Sequence, residues 1–100
     1  MDKTEVIEKL RKYKSLVEKH FDLNKMMLYG SYAGGDQTEE SDIDVALIIK
    51  DLEGNYFDYV PKIWRLRREI DTKIEPIVFK YGKDDPSGLY EEILKTGIEI

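Results

Sequence analysis

Cysteine is absent from this 100-residue chain, which excludes disulfide bonds and thiolate chemistry. Proline and histidine are scarce, at three and one residues, and no low-complexity run or internal repeat is present, so the composition is that of a globular protein. No apolar stretch approaches the length that spans a membrane, and the N-terminus is charged rather than signal-like. The sequence therefore predicts a cytoplasmic globular protein.

Positive charge is also in short supply. Sixteen Lys and Arg face 21 Asp and Glu, which gives a net charge of −5. Because binding to nucleic-acid phosphates needs a positive surface, this balance argues against a nucleic-acid partner. A chain of this length predicts a single domain over residues 1–100. Such a small domain buries only about 60–65% of its unfolded surface, so a homo- or hetero-oligomeric partner would stabilise it.

The spacing of apolar residues predicts an α/β (α+β) fold, with a mixed sheet of three to four strands packed against helices. The predicted order is α-β-turn-β-α-β-α-β. The predicted elements are a helix over 4–21 capped by Thr4, strands over 25–30, 42–50, 72–80 and 98–100, a turn over 31–41 with one helical turn after Ser31, and helices over 56–70 and 87–97.

Two features refine this prediction. In the second long helix, Phe57, Val60, Ile63, Trp64 and Ile70 are expected to face inward, with Pro61 near the helix start. Pro76 cannot donate a hydrogen bond to a neighbouring strand, so it predicts an edge position for the strand over 72–80.

Asp42 and Asp44 begin an apolar strand. Because side chains alternate along a strand, both aspartates point to one face, roughly 7 Å apart, while Ile43 and Val45 point to the other. Two carboxylates this close raise each other's pKa unless a cation lies between them. Magnesium prefers such oxygen ligands, so the pair predicts a metal site, although an isolated Asp-x-Asp could equally be a solvated strand end.

Gly30 and Ser31 precede this pair by a loop of small and polar residues. Glycine lets the backbone approach a ligand closely, and the following N–H groups and the Ser31 hydroxyl can bind phosphate oxygens. Phosphoryl transfer with metals usually needs a third carboxylate. Glu75 is the best candidate for it, and Asp71 is the alternative.

The motif Gly30-Ser31, ten intervening residues and Asp42-Ile43-Asp44 resembles the signature of the DNA polymerase β-like nucleotidyltransferase superfamily. The whole chain is similar to its minimal nucleotidyltransferase (MNT) domains. Beyond the motif, the likeness rests on LYGSYAGG (28–35), where the family has LFGSYARG, on SDIDVALI (41–48), on the acidic third strand and on EILKTGIEI (92–100).

The resemblance implies that Gly30 and Ser31 bind nucleotide phosphates and that Asp42, Asp44 and Glu75 bind two Mg²⁺ ions. An acceptor hydroxyl would attack the α-phosphorus of ATP or another nucleoside triphosphate, and pyrophosphate would leave. Proteins of this type are typically encoded with a HEPN-domain toxin as its antitoxin, and some silence the toxin by attaching AMP to its tyrosine, so the resemblance implies such a partner here. The acceptor surface is accordingly expected on a partner protein or a second copy.

Gly34 departs from the family pattern, since this position is often basic in the antitoxins. Lys25, Arg65 or Lys73 could supply the missing charge. The departure keeps a second interpretation open, in which the protein neutralises its partner by contact without catalysis. Transfer to a small molecule such as an antibiotic is a third interpretation.

Overall fold

The computed structural model describes residues 1–38 and 40–100, and within them helices and strands alternate as predicted. The elements are α1 (Lys3–Glu18), β1 (Asp22–Tyr29), α2 (Ser31–Gly34), β2 (Ile43–Lys50), α3 (Tyr56–Leu66), a 3-10 turn (Arg67–Glu69), β3 (Ile74–Lys80), α4 (Leu89–Thr96) and β4 (Ile98–Glu99). None of the helices in these two ranges has the length and apolar character needed to cross a membrane.

The four strands form one mixed sheet in the order β3-β2-β1-β4. β2 lies in the middle, antiparallel to β1 and parallel to β3, and β4 pairs with β1 over two residues. Five consecutive residues of β2, from Val45 to Ile49, are buried. This continuous burial follows from a central strand that is covered on both faces.

Helices cover the two faces of the sheet unequally. α1 and α3 pack on one face and build the larger apolar cluster, to which Leu10, Val45 and Ile63 belong. On the opposite face, Ile93 of α4 packs with Met27, Ala46 and Ile48 in a smaller cluster. We call this second side the open face, because α4 is its single helix in the described part of the chain.

The ends of α1 differ from the prediction. Asp2, and not Thr4, caps the helix, because its side chain accepts a hydrogen bond from the Glu5 N–H at 2.8 Å. The helix ends at Glu18 rather than at 21. Asp22 is already paired with Lys50 across the sheet, so β1 begins three residues earlier than the sequence indicated.

α3 also begins and ends differently from the prediction. Asn55 and Asp58 form a capping box that starts the helix at Tyr56, and this leaves Phe57 in the first turn, 79% exposed. The inward orientation predicted for Phe57 is therefore wrong. Trp64 is only half-buried, and the guanidinium of Arg67 lies over its ring, 4.7 Å from the ring centre. The α-helix gives way to the 3-10 turn after Leu66, before the predicted end at 70.

Pro76 lies on an edge strand, as predicted. The Lys73 carbonyl accepts a hydrogen bond from the Ile43 N–H, and the Tyr81 N–H donates to the Ile49 carbonyl. The backbone groups of odd-numbered β3 residues therefore face β2, and those of even-numbered residues face away from it. Because Pro76 is even-numbered, its missing N–H removes no hydrogen bond from the sheet.

Candidate active site

The sheet register brings two of the predicted acids together. In the parallel ladder Asp44 is the partner of Glu75, and on its other side Asp44 is the antiparallel partner of Tyr29. Ile43 and Val45 are fully buried in the larger cluster, so Asp44 points to the open face, as predicted. Tyr29, Asp44 and Glu75 thus form one row across three strands, with neighbouring strands about 4.8 Å apart.

Asp42 completes an acidic cluster with Asp44 and Glu75 at the beginning of the two parallel strands. Partial burial and then the negative charge of Asp42 raise the pKa of Asp44. The pKa of Glu75 is raised as well, by desolvation first, then by the charges of Asp42 and Asp44 and by a hydrogen bond with the Asp42 side chain. Repulsion between the ionised acids thus contributes to both shifts after desolvation, and a cation would stabilise the ionised forms.

Gly30 lies against the acidic cluster at the end of β1. Its φ of +75° and ψ of −149° belong to a region that is essentially restricted to glycine. A Cβ atom at this position would lie 2.4 Å from Oδ2 of Asp44. Ser31 follows directly as the first residue of α2, whose turn is closed by a hydrogen bond from the Gly34 N–H to the Gly30 carbonyl at 3.1 Å. The predicted phosphate-binding residues and the predicted acids are therefore adjacent.

Asp71, the alternative third acid, is engaged elsewhere. It accepts hydrogen bonds from the Lys9 ammonium at 2.7 Å and from the Lys73 N–H at 2.8 Å. Burial alone would raise the pKa of Asp71, but these hydrogen bonds and the charges of Lys9 and Lys73 hold it below its usual value. Asp71 therefore joins α1 to the start of β3. Glu75 remains as the candidate for the third carboxylate of the site.

Replacing Asp71 with Asn is expected to lower the free energy of unfolding by about 1 kcal/mol at pH 7, because the largely shielded ion pair with Lys9 is lost. The folded-state pKa of Asp71 is below its unfolded value, so this contribution is present at neutral pH and disappears as the pH falls through the folded-state pKa. Urea denaturation of wild type and Asp71→Asn at pH 7 and at about pH 3 measures it. The exposed Asp84→Asn is the control, and equal stability of D71N and wild type at pH 7 would contradict the assignment.

The family described as "Polymerase beta, Nucleotidyltransferase" matches residues 11–100. The chain belongs to the polymerase beta nucleotidyltransferase family. Two Methanocaldococcus jannaschii proteins are similar to this nucleotidyltransferase. "Putative protein adenylyltransferase MJ1379" is 37% identical over 79 residues, which cover 70% of this chain and 77% of the relative. "Putative protein adenylyltransferase MJ0141" is 31% identical over 104 residues, which cover 100% of both chains.

A solved structure shows the same fold. The crystal structure of "a putative nucleotidyltransferase from Sulfolobus solfataricus" superposes with a TM-score of 0.72, over 97% of this chain and 80% of that one, at 23% sequence identity. The predicted family, the α/β fold and the classification as a nucleotidyltransferase are confirmed.

Sequence reasoning missed two residues beside the acids of this nucleotidyltransferase. Tyr29 is the neighbour of Asp44 in the row, and burial, followed by the charges of Asp44 and Glu75, raises its pKa. Arg67 follows α3 and donates from Nη1 to the carbonyls of Thr72 and of Ile74, the latter at 3.1 Å. Its positive charge opposes the rise in the Glu75 pKa.

Arg67 is therefore a cation whose charge favours the ionised form of Glu75 in the acidic cluster. The sequence had suggested Lys25, Arg65 and Lys73 for this positive charge. The Lys25 ammonium lies 3.8 Å from Oε1 of Glu99, at the β4 side of the sheet, and Arg65 is exposed on α3. Lys73 interacts with Asp71 through its backbone and its charge. Helical spacing alone could not reveal Arg67, because its side chain turns back along the free edge of β3.

Within residues 1–38 and 40–100, no three acidic, histidine or cysteine side chains are arranged as a ready-made metal site. Magnesium does not require one, since it commonly binds through one or two carboxylates and completes its octahedral shell with water and substrate phosphates. The donor chemistry of the acidic cluster, with its mutual repulsion, fits an ion of this kind. The chain's residues are thus compatible with a metal that enters together with the nucleotide.

Proposed function

We propose that this nucleotidyltransferase transfers AMP from ATP to a hydroxyl group of another protein, with Mg²⁺ as cofactor. The observation that carries the proposal is the juxtaposition of the acidic cluster with Gly30. One end of the sheet holds two carboxylates in register and a third just before β2. The Gly30 backbone lies so close to these acids that there is no room for a Cβ atom.

Asp42, Asp44 and Glu75 would hold the metal. Bound Mg²⁺ supplies positive charge that neutralises the phosphates, favours loss of the acceptor proton and stabilises the leaving oxygen. The protein's part is to hold the carboxylates in place. Packing of Ile43 and Val45 in the larger cluster immobilises the backbone on either side of Asp44, so the carboxylate has little freedom to turn away.

Gly30 and Ser31 would bind the triphosphate. The absence of a side chain on Gly30 leaves room for a phosphate beside Asp44, and Ser31 offers its N–H and hydroxyl group as donors. In the reaction the acceptor oxygen forms a bond to the α-phosphorus and the bond from that phosphorus to pyrophosphate breaks. The proton of the acceptor hydroxyl passes to the acidic cluster.

A protein acceptor is favoured by the relatives, two of which bear names that describe protein adenylyltransferases. The family resemblance further points to a HEPN-domain toxin, modified on a tyrosine. A phenol is a reasonable nucleophile here, because the acceptor must lose its proton, and a phenol with a pKa near 10 does so more readily than an aliphatic hydroxyl.

The test is incubation of the protein with α-labelled ATP, Mg²⁺ and the product of the neighbouring gene, which we expect to be a HEPN-domain protein. Label is expected on a tyrosine of the partner, with a mass increase of one AMP group. It should disappear with EDTA and in Asp42→Asn/Asp44→Asn, while Asp84→Asn, which alters an exposed acid outside the cluster, should transfer normally. An unlabelled partner in the presence of the intact protein, ATP and Mg²⁺ would contradict the proposal.

Gly34 favours a second candidate function, neutralisation of the partner by contact. It is exposed and provides no cation near the site. In this case Asp42→Asn/Asp44→Asn would neutralise the partner as well as wild type does, with no label transferred. Loss of neutralisation together with loss of label would leave the enzymatic function as the explanation.

A further inference from the structure

One edge of the sheet remains unpaired along β3 within residues 1–38 and 40–100. In this part of the chain the strand pairs with β2 on one side only, and the backbone groups of Ile74, Pro76, Val78 and Lys80 point to the other side. An unpaired row of N–H and carbonyl groups attracts another strand unless it is blocked. Which of these groups are blocked can be read residue by residue.

The first part of the edge is closed. Arg67 donates to the carbonyls of Thr72 and Ile74, and Pro76 has no N–H to offer. At the other end, the Lys80 carbonyl accepts a hydrogen bond from the Lys83 N–H at 3.2 Å. The groups that remain, among the described contacts, are the carbonyl of Pro76, both groups of Val78 and the N–H of Lys80.

We propose that this edge pairs with the same edge of a second copy of the chain, antiparallel about a two-fold axis at Val78. The two Val78 residues would exchange N–H and carbonyl bonds, and each Lys80 N–H would donate to the Pro76 carbonyl of the other copy. These four bonds use every remaining group once. In a regular ladder residue 76 would also donate its N–H to the Lys80 carbonyl of the other copy. Pro76 has no N–H, but that carbonyl already accepts a hydrogen bond from the Lys83 N–H of its own chain.

The side chains match under the same axis. In this register Ile77 of each copy lies opposite Phe79 of the other on the open face, and Val78 lies opposite Val78 on the α3 side. All three side chains are half-buried in the single chain, so pairing would remove apolar surface that α4 leaves uncovered at Ile77 and Phe79 and that α3 leaves uncovered at Val78. Apolar residues meet apolar residues at each of these positions.

The surface along this edge carries a groove. A groove of about 330 Å³ runs beside Val78 and Lys80, between Tyr59 of α3 and the segment 83–85. Lysine often protects an edge strand, but the Lys80 ammonium turns toward α3, 3.4 Å from the Gly54 carbonyl and 5.9 Å from the centre of the Tyr59 ring. A second copy fits better than an unrelated strand, because the free groups are symmetric about one residue.

The test combines sedimentation with amide hydrogen exchange. Wild type is expected to sediment as a dimer, with slow exchange of the Val78 and Lys80 amides, which should exchange fast in a monomer. Val78→Pro removes the central donor without affecting the β2 ladder, and should weaken dimerisation about 100-fold or more. Val78→Thr keeps the N–H and the side-chain shape, and should remain dimeric.

Ile77→Lys provides a second variant in case Val78→Pro does not fold. It keeps every backbone donor but places a charge opposite Phe79, and it should also be monomeric, with circular dichroism confirming the fold. A monomeric wild type would overturn the proposal. So would a dimer in which the Val78 and Lys80 amides exchange fast, since its interface would lie elsewhere.

Discussion

Asp44→Asn is expected to reduce nucleotidyl transfer by about 1,000-fold or more and, at the same time, to raise the melting temperature of the metal-free protein. The first effect follows because the substitution removes a proposed metal ligand at the centre of the row between Tyr29 and Glu75. The second follows because the ionised Asp44 is disfavoured by burial and by the charge of Asp42. A neutral amide removes both the cost of burying a charge and the repulsion from Asp42.

The stabilisation should depend on pH in a defined direction. The folded-state pKa of Asp44 lies above its unfolded value, so ionisation costs stability as the pH rises through this interval, and the full cost is present at pH 7. The melting temperatures of D44N and wild type should therefore differ by a few degrees at pH 7 and converge below about pH 4. Differential scanning calorimetry without divalent metal, at both pH values, measures the difference.

Adding Mg²⁺ and a non-hydrolysable ATP analogue should reverse the order of stability. Ligand that binds the folded state raises the melting temperature of wild type, and D44N should lose this increase. Asp84→Asn, at an exposed acid outside the acidic cluster, should behave like wild type in every condition. A D44N protein that retains both transfer activity and the ligand-induced shift would show that Asp44 is not part of the site.

Gly30→Ala should have the second-largest effect, with loss of transfer by about 100-fold and destabilisation by about 2–4 kcal/mol. The new methyl group would lie 2.4 Å from Oδ2 of Asp44, well inside van der Waals contact, in a backbone conformation that alanine strongly disfavours. Either the carboxylate or the end of β1 must move. Urea denaturation and the labelled transfer assay measure the two effects.

Gly35→Ala is the matched control. Gly35 also has a positive φ, +82°, but its ψ of 10° belongs to the left-handed helical region, and no atom of the described residues lies within 4 Å of the added Cβ. It should cost only about 1–2 kcal/mol, which is the strain of the conformation itself, and leave transfer close to wild type. If Gly35→Ala impaired transfer as much as Gly30→Ala, backbone strain in the loop would explain both, and the contact with Asp44 would not matter.

Much of the site could be predicted because it depends on local rules. Side-chain alternation is enough to place Asp44 opposite Ile43 and Val45, whose burial agrees with this placement, while Asp42 lies one residue before β2. Pro76 predicted the edge strand for a similarly local reason. Glu75 needed one additional assumption, that β3 runs parallel beside β2, which the helix between them makes common.

The remaining features depend on tertiary contacts that no local pattern contains. Tyr29 joins the row only through the antiparallel register of β1, and Arg67 reaches β3 only because the helix tightens into a 3-10 turn. Phe57 was misassigned because its apolar character suggested burial, whereas the capping box fixes the helix start and leaves the ring exposed. Helix caps compete with hydrophobic spacing, and at Asn55 the cap prevails.

The parallel pairing of β2 with β3 also has a kinetic consequence. Tyr29 and Asp44 are 15 residues apart in sequence, but Asp44 and Glu75 are 31 apart, and they meet only after the whole crossover through α3 has closed. Closing the longer loop costs more chain entropy, so this contact should form late in folding. A nascent chain would then have no complete acidic cluster until β3 has docked beside β2, and the proposed nucleotide site would be absent from earlier folding intermediates.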